Sequence, residues 1–385
     1  MREDVIGRLK TVLDQNGLDA VLALSPENYG YIAGFVVPSH PLMRWRHAGI
    51  VVKADGGRGV LSVDMEASTV RKHLPSEEIR IWKEFAFDAM DRLADLLSDM
   101  GLGAGRIGIE MDFVPAGDFK ILQNRLPGVT WVAAEGLLAR LRQLKTPDEI
   151  ALLRRLSMIA DKAITTAYET MAPGRTEFDL AGVLTGTLYS EGAEDFRMLI
   201  IATGERSVFP NVGPTDRKLR NGDICRVEVF PKIAGYHAGV CRTAQVGDAP
   251  AHAEAIWAKL VECKYMLLDL IKPGAVCSDI YRTYCRKLET LGLPLISFVG
   301  HGIGLHLHED PYLGAMDDSL LEAGMVLGIE PLIYETGHGF GMQNKDMVVV
   351  TPTGCELLSA YADTDRLIRV GGEASKGARA WPSVA

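Results

Sequence analysis

The chain of 385 residues has no stretch approaching the ~20 consecutive apolar residues that a membrane helix needs. Its first segment, MREDVIGRLKTVLDQ, lacks the apolar core of a signal peptide; it is amphipathic and carries acids. A cytoplasmic protein with no membrane partner is the expectation. Basic runs are missing as well. The net charge is −9 and no cluster of lysine or arginine offsets it, which argues against a nucleic-acid partner. Cysteine is scarce and unevenly placed: all six lie from Cys225 onward, and none forms a Cys-x-x-Cys pair. That excludes a zinc-finger or disulfide framework and suits a reducing compartment. Histidine is scarce too, nine in all, which makes Gly300–Pro311 stand out. This stretch, GHGIGLHLHEDP, gathers His301, His306, His308, Glu309 and Asp310. Glycines at 300, 302 and 304 permit a tight turn and close approach. Either a solvated turn or a buried polar site fits this pattern.

The hydrophobic spacing divides the chain in two. In the first part, Val5, Ile6, Leu9, Val12 and Leu13 predict a helix over 2–16 that stops at Asn16-Gly17. Strands are predicted at 19–24, 106–110 and 129–133, a hairpin over 48–63 around Asp55-Gly56-Gly57, and helices at 87–98 and 116–125. Alternating strands and helices predict an α/β domain. The boundary falls near Leu144, where Thr146-Pro147-Asp148-Glu149 reads as a capping box. Helices are then predicted from Pro147, over 176–191, over 253–271, and over 278–291 with Ser278 as N-cap. Strands are predicted at 198–203, 223–231, 239–246, 326–334 and 345–351. These predict an α+β domain with helices covering a curved antiparallel sheet. The expected division is 1–143, 144–370, and a mobile tail over 371–385 that lacks periodicity.

Two acids interrupt apolar strands: Glu228 in ICRVEVF and Glu330 in VLGIEPL. A carboxylate there is costly unless it is paired or functional. Arg226, on the same face as Glu228, is one possible partner. Pro331 marks Glu330 as a strand end or edge, where site residues often sit. Cys241 reads as packing or as a nucleophile. Arg44, Trp45, Arg46 and His47 form a polar-aromatic cluster ahead of the strand at 48–53.

Taken together, several motifs carry a resemblance. They are RQLKTPDEIALLR, Pro214-Thr215-Asp216-Arg217 before Gly222-Asp223, and Gly235-Tyr236 with Arg242-Thr243. With them come His301-Gly302-Ile303-Gly304, His308-Glu309, Gly324-Met325-Val326 and Glu330-Pro331. Nearly the whole chain resembles the pita-bread-fold family of aminopeptidase P, prolidase and creatinase. The resemblance implies a creatinase-like N-terminal domain and a pita-bread catalytic domain. It also implies a site that, in the peptidases, holds two metal ions on two aspartates, a histidine and two glutamates. His301 and Glu330 match the histidine and the first glutamate. Glu228 stands at the first aspartate, Gly239 at the second, and Lys345 at the last glutamate. A pair of cations needs bridging carboxylates, and here a glycine and a cation replace two of them. The expectation is no metal cofactor, with a single zinc on Glu228, Cys241, His301 and Glu330 left open.

Creatinase and ectoine hydrolase are metal-free precedents within the resemblance. Relative to creatinase, Asn211 stands at the catalytic histidine, Cys241 at the second active-site glutamate, and Lys345 at another histidine. The expected function is metal-independent hydrolysis of an amide or amidine C–N bond. A metal-dependent Xaa-Pro peptidase and a non-catalytic binding descendant are the alternatives. Glu330, Glu228, His301, Lys345 and Cys241 are the expected catalytic set, with His301 between the two glutamates. His308, Asn211, Trp45 and Arg46 are the expected substrate contacts. Arg46 matches an arginine that, in creatinase-like homodimers, holds a substrate carboxylate from the other subunit. A small carboxylated substrate and a homodimer follow from that resemblance.

Overall fold

The computed structural model describes residues 1–248 and 250–371. The tail expected to be mobile lies, from residue 372 onward, outside the described residues. The chain forms two compact units, Met1–Arg142 and Gln143–Ala385.

In the first unit the opening helix is Glu3–Asn16, and Gly17 ends it at φ 59°, a left-handed conformation that glycine takes at little cost. Six strands follow: β1 (Ala20–Ala23), β2 (Gly49–Lys53), β3 (Arg58–Val63), β4 (Ile79–Trp82), β5 (Arg106–Ile109) and β6 (Thr130–Ala133). They make one mixed sheet in the order β4-β3-β2-β1-β5-β6. The hairpin expected around Asp55-Gly56-Gly57 forms between β2 and β3, with Val52 paired to Arg58 at its turn end. Leu22, Val51, Leu61, Ile107 and Ile109 pack with Leu93, Leu96 and Leu97 of the helix Ala89–Asp99. Buried Glu110 accepts hydrogen bonds from Leu24 N, Ser25 N and Asn28 Nδ2, satisfying the turn after β1.

The second unit opens with the helix Pro147–Glu169, and its capping box is present in full. Glu149 N donates to Thr146 Oγ1 at 3.3 Å, while Thr146 N donates to Glu149 Oε2 at 2.7 Å. Thr176 and Asp179 form a second box on the helix Glu177–Ser190. Ser278 does not cap as expected. The helix Cys277–Thr290 starts one residue earlier, and the Ser278 hydroxyl donates to Asp318.

Among the described residues this unit has twelve strands: β7 (Asp195–Thr203), β8 (Ile224–Ile233), β9 (Tyr236–His237), β10 (Val240–Val246), β11 (Phe298–Gly302), β12 (Glu309–Gly314), β13 (Val326–Ile329), β14 (Leu332–Ile333), β15 (Met342–Gln343), β16 (Asp346–Val350), β17 (Cys355–Leu357) and β18 (Ile368–Val370). They form two five-stranded, mainly antiparallel sheets and one two-stranded ribbon. One runs β18-β10-β8-β7 with β9 on β8, the other β12-β11-β13-β16-β17, and β14 pairs with β15. Pairing is antiparallel except for β10 with β18. The expected strand over 326–334 breaks at Glu330-Pro331, because proline has no N–H for the ladder. An isolated bridge between Cys241 and Lys345, with each N–H donating to the other's carbonyl at 3.2 Å, ties the two sheets together.

Candidate active site

Lys345 occupies the meeting point of the two sheets. It directly precedes β16, and its side chain runs into the interior at 1% exposure. The ammonium Nζ lies 3.1 Å from Glu228 Oε1 on β8, 3.1 Å from His301 Nε2 on β11 and 3.5 Å from Glu330 Oε2. It also sits 4.7 Å above the centre of the Phe230 ring. An ammonium has three N–H donors, and three acceptors surround it. Burial alone lowers a lysine pKa. Here the Glu330 and Glu228 carboxylates outweigh burial and raise it above the ordinary value, so Lys345 is charged.

His301 is fully buried, and its Nδ1 lies 2.7 Å from the Gly302 carbonyl. A carbonyl only accepts, so Nδ1 carries the proton and Nε2 presents its lone pair to Lys345. His301 was expected between the two glutamates; Lys345 takes that place, and His301 closes the group from the Glu330 side at 3.2 Å. Glu330 is 3% exposed. Burial opposes its ionisation, but the Lys345 charge prevails and holds the carboxyl well below the usual range. Its two oxygens differ. Oε2 accepts from Gln343 Nε2 at 3.0 Å, whereas buried Oε1 faces the unprotonated Nε2 of His301 at 3.2 Å and accepts no hydrogen bond among the described residues.

The ring of His308 stacks on His301, with centroids 3.7 Å apart and planes 11° from parallel. Burial, followed by the influence of neighbouring His301 and of the Lys345 charge, lowers its pKa to about 4, so it is neutral near pH 7. His308 also lines a 510 Å³ cleft with Phe298, Asp310, Tyr312 and Met316, a volume suited to a small molecule. Strand alternation explains this wall: Asp310 and Tyr312 point outward from β12 while Glu309 points inward to Lys145 at 3.3 Å.

Other expected site residues lie differently. Cys241 is fully buried opposite Glu228 in the β8–β10 ladder. Burial, reinforced by the Glu228 charge, pushes its thiol well above the ordinary range. A thiolate there is disfavoured, and of the two readings of Cys241 its burial fits packing. Arg226 lies 3.9 Å from Glu228, too far for a hydrogen bond. Asn211 is exposed on the loop after Phe209 and Pro210, whose carbonyls accept from Arg226. Arg46 and Trp45 belong to the first unit. The Arg46 fork, expected to hold a substrate carboxylate, is engaged by Glu84 through two bonds of 2.7 and 2.9 Å. Trp45 lines a 320 Å³ cavity with Trp82, Phe85 and Phe87.

Two residues of the site escaped the sequence reading. Phe230 shares a face with Glu228 two positions on, and that spacing was the available signal. Gln343 sits on the short strand β15, and nothing in its sequence surroundings marks it.

The residues do not fit a pair of metal ions. A Cβ built on Gly239 would fall 2.5 Å from the Phe230 ring, so the ring fills the space a ligand at 239 would use. An ammonium then occupies the centre of the remaining acids. Among the described residues, no three His, Cys, Asp or Glu side chains converge as metal ligands, and the zinc set left open above, Glu228, Cys241, His301 and Glu330, is not such a group.

Residues 151–352 match the model of metallopeptidase family M24, and residues 6–144 match the creatinase/prolidase N-terminal domain. The chain is 30% identical to a probable dipeptidase PepE of Mycobacterium tuberculosis, over 87% of this chain and 88% of that protein. It is 26% identical to an Xaa-Pro dipeptidase of Pyrococcus furiosus, over 91% and 96% respectively. The fold superposes on an X-Pro aminopeptidase of Thermotoga maritima with a TM-score of 0.83, at 22% identity and covering 95% of this chain and 99% of the other.

Proposed function

The chain belongs to metallopeptidase family M24, a family of C–N bond hydrolases, and from that premise we propose that it hydrolyses the C–N bond of a small carboxylated substrate without a metal pair. The names of the relatives favour Xaa-Pro dipeptides as the first substrate class to test, ahead of creatine-like or ectoine-like compounds. Metal independence draws no support from those relatives. It rests on one observation, the Lys345 ammonium held among Glu228, Glu330 and His301.

In this reading Glu330 Oε1, ionised and accepting no hydrogen bond, takes a proton from the attacking water. The hydroxide adds to the carbonyl carbon. As the C–N bond breaks, the proton passes from Glu330 to the departing nitrogen. Lys345 donates to the developing oxyanion by releasing one of its three acceptors. Drawing that charge away from Glu330 strengthens the carboxylate as a base at the same moment. His308 forms the wall between this group and the cleft, where it contacts the substrate. The same proposal includes a homodimer, read by mass photometry.

The relatives' names support a second reading, a metal-dependent Xaa-Pro dipeptidase. Metal content and hydrolysis of Xaa-Pro dipeptides, measured on one preparation before and after chelation, separate the two. Turnover that survives chelation supports the first reading; turnover restored only by added divalent ions supports the second.

A further inference from the structure

The two oxygens of Glu330 are made unequal by neighbours that belong to no expected site. Gln343 Nε2 donates to Oε2 at 3.0 Å. An amide can be placed either way round, but the other end of Gln343 removes that freedom. Its Oε1 accepts from Arg226 Nη1 at 3.0 Å, and a guanidinium offers donors alone. The NH2 group must therefore face Glu330.

Arg226 is itself fixed. It donates to the carbonyls of Ser207, Phe209 and Pro210 and lies 5.2 Å from the centre of the Tyr334 ring. The Gln343 backbone is pinned by Thr243, whose Oγ1 accepts from Gln343 N at 3.1 Å and donates to Gln343 O at 2.8 Å. Arg226 and Gln343 are both fully buried, so water does not compete for these bonds.

We infer that Gln343, oriented by Arg226, is a positioning residue that occupies Glu330 Oε2 and leaves Oε1 for the substrate water. The inference rests on the hydrolase reading above. It explains why this buried carboxylate oxygen, 3.2 Å from the His301 lone pair, accepts no hydrogen bond: the relay from Arg226 fixes the carboxylate plane and keeps that oxygen for a donor the substrate water brings. The relay starts at the carbonyls of Phe209 and Pro210, so it also ties the loop bearing Asn211 to the orientation of Glu330.

The test compares Gln343→Leu, Arg226→Met and the double variant, with Gln343→Asn as a milder change should the leucine variant fail to fold. Gln343→Leu is expected to lower kcat on the order of 10- to 100-fold, as misplacement of a reacting group does, with KM little changed. The double variant is expected to be no slower than Gln343→Leu alone, because both break one relay. A wild-type kcat in Gln343→Leu, or additive losses in the double variant, would overturn the inference. A crystal structure of the Gln343 variant gives a readout independent of turnover. The Glu330 carboxylate should rotate and bring both oxygens toward Lys345; an unmoved carboxylate overturns the relay. If the unmodified protein hydrolyses no substrate, the hydrolase reading fails and this structure still judges the relay.

Discussion

At the scale of single residues, a buried ammonium among two carboxylates and an imidazole makes strong demands. Removing one member of a buried charge group leaves the others unpaired, at a cost of about 3–5 kcal/mol. Lys345→Met is expected to lose stability of that order in urea unfolding, and an unchanged midpoint would show that the ammonium balances nothing. Glu330→Gln keeps the shape and removes the base. It should abolish turnover with circular dichroism near wild type, while the thermal midpoint falls because Lys345 loses one of its two carboxylates; retained turnover would end its catalytic role. Cys241→Ala should leave turnover near wild type, because the thiol stays protonated beside Glu228. The acids and the histidine were legible because a charge inside an apolar strand is conspicuous. Gln343 was not, since an amide near a strand end is ordinary until its two partners are known.

At the scale of elements, the site forms where β8, β10, β11 and the residue before β16 converge. Most of these strands were visible as apolar alternation. Their division into two sheets was not, because pairing across long sequence separations leaves no local mark. Nor was the start of the helix at Cys277, where a serine in the first turn served Asp318 instead of the backbone. The contact between Gly239 and the Phe230 ring belongs to this scale, linking β8 to the turn before β10. Gly239→Asp is expected to destabilise by roughly 1–3 kcal/mol through overpacking, with the loss relieved when Phe230→Ala is added. Divalent-ion binding should appear in calorimetry only when Lys345→Glu accompanies both changes. Binding by Lys345→Glu alone would show that the ring does not block the compartment.

For the whole molecule, the two-part organisation followed from the alternation of elements and from the capping box at Thr146, while the tail beyond 371 stays outside the described residues. Stability should depend on pH through buried His40 of the first unit. Burial, with the nearby His47 charge, lowers its pKa from 6.5 to about 4. The unfolded chain then takes up a proton at a pH where the folded chain does not. The His40 contribution is full above about pH 6.5 and is lost as pH falls through 4, at about 1.4 kcal/mol per unit. Urea unfolding between those limits should show a shallower acid-side loss for His40→Asn; parallel losses would contradict the assignment. The central claim, that protein groups replace a metal pair, is tested most directly by elemental analysis of the purified protein together with its rate on Xaa-Pro dipeptides and related small amides after exhaustive chelation. Turnover should persist with metal well below one ion per chain. Two tightly held divalent ions per chain, with turnover lost on their removal and regained on their return, would contradict it.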